Sequence, residues 1–176
     1  SSDRRGGSRQ IGIKFPRQIR EDAPVLTIKT MQELLDEFSR ATFAQKLLQQ
    51  KDLVYGLASC DPKTIDKLNI YHAARLAMRK AIEKIKPDSD LKSIVLVDGK
   101  TEINGIDLEQ MPIVKGDRKI FAIACASIIA KVHRDGLMQK YAKQYPGYGF
   151  QKHMGYGTKQ HQVQLMTLGP CPIHRR

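Results

Sequence analysis

Apolar residues recur at helical spacing from about Met31 to Gln49, at Met31, Leu34, Leu35, Phe38, Phe43 and Leu47. The short run Leu53-Val-Tyr-Gly-Leu-Ala58 predicts a strand. Asp61 or Pro62 opens a second helix that ends near Lys86-Pro87, with proline early and basic residues late. Its apolar positions include Ile65, Leu68, Ala73, Leu76, Ala77 and Ile82. From Leu91 to Asp98 the chain is apolar and β-branched without alternation, which predicts a strand buried on both faces. Residues 100–110 read as a loop and Met111–Val114 as a short edge segment. A long helix from about Lys119 to Lys143 follows, then the turn-rich Pro146-Gly-Tyr-Gly149. A last helix, Thr158–Leu168, starts from a threonine cap. Residues 1–10 read as a flexible basic tail, and 11–29 as two short extended runs punctuated by Pro16 and Pro24. Strands alternating with helices predict a single α/β domain over residues 11–176.

Charge narrows the class of partner. The 176 residues carry a formal net charge of +12, and residues 111–176 hold eleven Lys/Arg against Asp117 and Asp135 alone. A field that positive draws polyanions. Tyr145, Tyr148, Phe150 and Tyr156 interleave with the basic residues, offering flat faces to bases or sugars. No apolar run approaches the eighteen or so residues of a membrane span, and the N-terminus lacks the apolar core of a secretory signal. Cys60, Cys125 and Cys171 are spaced as neither a disulfide framework nor a zinc knuckle, which fits a reducing compartment. The expected location is cytoplasmic, or an organelle matrix if the N-terminus is processed.

Four places carry candidate chemistry. Asp98 ends the apolar strand, where α/β sheets present ligand sites, although Asp98-Gly99 also reads as a simple turn. Ser127, Lys131 and Asp135 share one helical face, so the first two could grip a phosphate beside a metal held by the third. A surface Lys131–Asp135 pair is the alternative. The neighbouring face, Ile123, Ala126, Ala130 and Val132, is small and apolar, which predicts packing on the sheet near Asp98. In Lys115-Gly116-Asp117 the glycine allows close approach to an anion, and Asp117 reads as the N-cap of the long helix. Tyr156, between glycines, offers a flat face and a hydroxyl that could meet a 2′-OH, or is a turn tyrosine packing on the core. His153 and His161 are spaced too widely for a helical metal pair.

These pieces together resemble bacterial ribonuclease HII. The matching segments are Thr64–Met78, Val95-Leu-Val-Asp98-Gly99, Val114-Lys-Gly-Asp117, Ala126–Asp135, Tyr148-Gly-Phe150, Lys152–Thr158 with His161, and the closing Leu168–Arg176. The match is clearest over residues 53–176. The resemblance implies a ribonuclease H-like mixed sheet flanked by helices, with a C-terminal helical extension. It implies an endonuclease that cleaves the RNA strand of RNA–DNA hybrids, or 5′ of a single ribonucleotide in duplex DNA, leaving a 3′-hydroxyl. Two Mg²⁺ or Mn²⁺ ions would serve it, with Asp98 bridging them and Asp135 the last of four acids. Tyr156 would stack on the ribose, and Lys115, Gly116, Ser127, Lys131, Arg134 and Lys152 would meet the substrate.

The family opens with a strand ending in Asp-Glu-Ala-Gly-Arg-Gly, which supplies two further acids. This sequence has no match to it: Asp3-Arg4-Arg5-Gly6-Gly7 places arginine where the glutamate belongs, and Glu21-Asp22 has no glycines behind it. The family's Asp-Ser-Lys-Lys segment is represented only by Lys29. Two acids leave two dications undercompensated. The expectation is a chain weakly active or inactive alone, unless another protein or chain segment supplies the acidic strand. The competing reading is a catalytically impaired relative that binds RNA or DNA within a ribonucleoprotein assembly. A small-molecule α/β enzyme finds no Gly-rich nucleotide loop.

Overall fold

Strand β3, Ile94–Asp98, pairs in parallel with β4, Glu109–Ile113, so that Asp98 lies level with Ile113. The computed structural model describes residues 13–14, 37–51, 53–86 and 93–175. The expected basic tail, the proline-punctuated runs apart from Ile13–Lys14, Glu21-Asp22, Lys29, residues 31–36 of the helix expected from Met31, and Leu91-Lys92 of the expected strand lie outside the described residues. Before β3 come β1 (Ile13–Lys14), α1 (Glu37–Leu48), β2 (Val54–Tyr55) and α2 (Pro62–Ile85). After β4 come a 3-10 turn (Gly116–Arg118), α3 (Phe121–Gln144), α4 (Phe150–His153) and α5 (Lys159–Leu168). The architecture is α/β, with one parallel and one antiparallel strand pair among the described residues and helices toward the C-terminus.

Local chemistry explains the boundaries. Asp61 Oδ1 accepts the Thr64 N–H at 2.7 Å and caps α2, with Pro62 at its first position. Helix α2 departs from the expected continuous run at Asn69, whose φ of 64° and ψ of 168° break it. The Asn69 carboxamide oxygen then accepts the N–H groups of Tyr71 and His72, restarting the helix with a second cap. Thr158 caps α5 as expected, its hydroxyl accepting the His161 N–H. The side-chain amide of Gln110 pins the loop before β4, bonding both the N–H and C=O of Ile103.

Three packing clusters hold the chain. Ala44 and Leu47 of α1 meet Ala124, Cys125, Ile128 and Ile129 of α3. Met78 and Ile82 of α2 cover Val97 and Ile103. Met138, Tyr148 and Phe150 centre the C-terminal cluster. Two expectations need correction. Strand β3 is not buried on both faces: Val97 is buried and Val95 and Leu96 are half-buried, but Ile94, at its first position, is 45% exposed. The small apolar face of α3 divides its contacts, since Ala126 and Ala130 pack in the cluster shared with α1 while Ile123 lies by the Asp98 turn.

Candidate active site

A parallel pair fixes where β3 ends. The Gly99 N–H donates to the Ile113 carbonyl at 3.1 Å, so the strand stops with Asp98 at its C-terminal edge. From β4 the chain turns at Lys115, whose φ of 56° is left-handed, into the 3-10 turn. That reversal aims the Gly116 N–H at Asp98 Oδ1, 2.9 Å away. Gly116 is buried, and a Cβ there would sit 2.6 Å from Ile123 Cδ1 and 3.5 Å from Asp98 Oδ1. The Ile123 methyl must turn aside to admit it, while Asp98 Oδ1 stays at ordinary contact distance. Gly116→Ala is therefore expected to cost about 1 kcal/mol, the low end of overpacking, readable in chemical denaturation, and to leave the Asp98 carboxylate on its donor.

Burial pushes the Asp98 carboxyl above its ordinary range; the Gly116 N–H pulls it back, and the negative charge of Asp117 adds to the rise. Asp117 is thus an electrostatic neighbour of Asp98. The expectation that Asp117 caps the long helix is corrected: α3 begins after Ile120 without a side-chain cap, and Asp117 sits inside the 3-10 turn. Two carboxylates at one edge, one half-buried, raise a local negative potential that a cation relieves.

Helix α3 carries the other expected residues. Ser127 is exposed and Lys131 and Asp135 are half-buried, at successive i,i+4 positions. Asp135 lies roughly three turns and 18 Å of helical rise beyond Ile123, the residue that abuts Gly116. It is one residue from Arg134, which reaches a second locus. The Arg134 guanidinium lies 4.3 Å above the Tyr156 ring and donates to the Met154 carbonyl at 2.9 Å. Met154 and Gly155 both take positive φ, so the chain doubles back and presents Tyr156, half-buried, beside α3. Arg134, expected on the substrate, thereby grips the turn that carries Tyr156. Lys115 and Lys152 are exposed.

Cys125 is buried and its thiol is pushed up to about 12 by burial, which makes it a packing residue. All three cysteines are free. Among the described residues no helix is long and apolar enough to cross a membrane.

A family profile described as Ribonuclease HII matches residues 21–176. The chain belongs to the ribonuclease HII family. The Ribonuclease HII of Caldicellulosiruptor saccharolyticus is 43% identical over 155 residues, covering 88% of this chain and 69% of that protein. Its counterpart in Caldicellulosiruptor bescii is 44% identical, covering 88% of this chain and 68% of the relative. The Clostridioides difficile protein of the same name is 46% identical over 74% of this chain and 50% of its own length. The chain thus spans between half and about two thirds of these relatives.

Membership agrees with the ribonuclease H-like α/β arrangement of helices around a parallel strand pair and with C-terminal helices. Ribonuclease HII proteins are hydrolases of nucleic acid, and the basic surface of this member suits such a partner. Divalent ions serve the family. The donor chemistry here fits one open edge of such a site: hard carboxylate oxygens at Asp98 and Asp117, with Asp98 fixed by a backbone donor. Among the described residues no group of three His, Cys, Asp or Glu side chains could enclose an ion.

Proposed function

We propose that this chain is a metal-dependent endoribonuclease that cleaves the RNA strand of RNA–DNA hybrids, or 5′ of a single ribonucleotide in duplex DNA. The observation that carries the reading is the Asp98 carboxylate locked by the Gly116 N–H with Asp117 beside it. Asp98 and Asp117 would hold Mg²⁺ or Mn²⁺, and Asp135, the acid implied by resemblance, stands further along α3. Such ions, when bound, activate water and offset charge at the scissile phosphate. Lys115, Ser127, Lys131 and Lys152 bind backbone phosphates, while the buried Gly116, its N–H spent on Asp98, orients that carboxylate instead. Tyr156, backed by Arg134, stacks on the ribose. Water adds to phosphorus, the bond to the 3′-oxygen breaks, and a 3′-hydroxyl and a 5′-phosphate leave. Further acids come from another segment or protein, and a reducing compartment such as the cytoplasm suits the free thiols.

The test is cleavage of a labelled duplex containing one ribonucleotide, with Mg²⁺ or Mn²⁺. Asp117→Asn is expected to reduce cleavage more than Asp135→Asn, because Asp117 shares the field of Asp98. The reverse order moves the metal edge to α3. Tight, salt-sensitive binding without cleavage at any metal concentration replaces the enzyme with a binding component. For Tyr156→Ala, loss of a stacking contact worth about 1–3 kcal/mol predicts binding of the ribonucleotide duplex weakened by about fivefold to 150-fold. Fluorescence anisotropy measures it, with an all-DNA duplex as reference.

A further inference from the structure

Behind the Tyr156 turn lies a chain of three imidazoles. His161 Nδ1 is 2.9 Å from the Tyr156 carbonyl, and its Nε2 is 3.1 Å from His174 Nε2. His174 Nδ1 receives the Cys171 backbone N–H at 3.0 Å. His153 stacks on His161 with ring centres 4.3 Å apart, its Nε2 2.7 Å from the Tyr148 carbonyl and its Nδ1 accepting the Gly155 N–H at 3.2 Å.

Those partners dictate the protons. A carbonyl only accepts, so His161 carries its proton on Nδ1 and offers a lone pair at Nε2. His174, accepting at Nδ1, must then donate from Nε2 to His161. His153 donates from Nε2 to Tyr148. In this arrangement each ring carries one N–H, and His174 Nδ1 also lies 3.1 Å from Cys171 Sγ and 3.3 Å from the Cys171 carbonyl. A proton added to His161 sets two N–H groups against each other at 3.1 Å. A proton added to His174 Nδ1 opposes the Cys171 N–H and finds among the described residues only the weak acceptor Cys171 Sγ, at 3.1 Å, and the Cys171 carbonyl, at 3.3 Å. Among the described residues the charged and titratable groups in contact with the rings are Cys171, Tyr148, the neighbouring imidazoles and, through Tyr156, Arg134; none of these is a carboxylate. Burial first, then the neighbouring imidazoles, hold the His174 pKa below its ordinary value, against a rise from the Cys171 backbone.

Resting on the reading of Tyr156 as the ribose contact, we propose that His161 and His174 are positioning residues for Tyr156. They hold its turn only while both rings are uncharged. Acidification releases the turn, and the preference for a ribonucleotide falls with it.

Two measurements on the full chain test this. Long-range ¹H–¹⁵N NMR near pH 8 is expected to show Nδ1–H in His161 and Nε2–H in His174; an Nε2–H tautomer in His161, or an imidazolium in either ring, overturns the network. Binding of a fluorescein-labelled DNA duplex carrying one ribonucleotide is then compared with an all-DNA duplex, without divalent metal. Between about pH 8 and pH 5.5, on either side of the ordinary imidazole pKa of ~6.5, the ratio of affinities is expected to fall roughly tenfold. His174→Gln keeps a donor near the ε position and takes no proton, so its ratio should fall by less than half as much. A ratio independent of pH in the unaltered chain, or an undiminished fall in His174→Gln, overturns the proposal. If that variant does not fold, the tautomers and the pH profile of the unaltered chain decide. If the tautomers are as expected but Tyr156→Ala keeps the full preference near pH 8, the ribose reading of Tyr156 fails instead.

Discussion

Asp98→Asn is expected to abolish cleavage and, in the absence of divalent metal, to raise the melting temperature. The asparagine oxygen still accepts the Gly116 N–H, so the local geometry survives. What disappears is a half-buried negative charge beside Asp117. The sign follows from the raised carboxyl: folded Asp98 holds its proton more firmly than unfolded Asp98, so ionising it opposes folding. That penalty is absent below the ordinary carboxylate pKa of ~3.9, grows as pH rises through the folded value, and persists at neutrality. The variant should therefore melt higher than the unaltered chain near pH 7, and the gap should close near pH 3. Adding Mg²⁺ or Mn²⁺ should narrow the neutral-pH gap as well, because an ion that binds only the folded unaltered chain stabilises it by mass action. Disturbing a partner of a metal ligand costs roughly 10–100-fold, so losing the ligand itself should exceed that in cleavage rate. A variant that cleaves like its parent removes Asp98 from the metal site. A melting temperature that drops instead makes the carboxylate a structural group.

The contrast between Asp98 and Asp117 shows what the sequence could carry. Asp98 was legible because an apolar run ending in a carboxylate places that group at a strand's C-terminal edge, whatever surrounds it. Asp117 was read as a cap, since distance from Asp98 depends on the hairpin-like return through Lys115, which no local pattern encodes. The long helices were legible from periodicity, but Asn69 was not read as a break, because the surrounding apolar spacing continues through it and only its left-handed φ reveals the second cap. Strand β3 had the composition of a doubly covered strand; tertiary packing left Ile94 exposed. The histidines were judged by spacing along one helix. They meet because α4 and α5 and the segment after α5 close on one aromatic ring, a coincidence of three segments.

That ring is Phe150, and Phe150→Ala carries the largest expected loss of stability. The side chain is 1% exposed. It stacks on Tyr148 at 5.3 Å and 4° between planes, and meets the edges of His153 and His161 at 5.8 and 5.7 Å. Truncating a fully buried phenylalanine costs about 3–5 kcal/mol in lost transfer energy and residual cavity, a large share of the ~5–15 kcal/mol that stabilises an ordinary domain. Phe150→Leu should cost less, since it refills most of the volume and loses chiefly the ring geometry, worth ~0.5–1.5 kcal/mol per aromatic pair. Chemical denaturation gives both figures. The route of the loss matters more than its size. Met138 of α3 belongs to the same cluster, so α3 feels the cavity at its C-terminal half while its N-terminal half stays packed on α1. Hydrogen exchange is therefore expected to rise first in α4, α5 and the Tyr156 turn, with Ala124 to Ile129 protected to higher denaturant. In that partly loosened state Asp98 and Gly116 remain in place while the imidazole chain has lost its support. Ribonucleotide preference should then disappear before metal-dependent cleavage does. Loss of both together would mean that the two ends of α3 unfold as one unit and that Phe150 serves the whole domain.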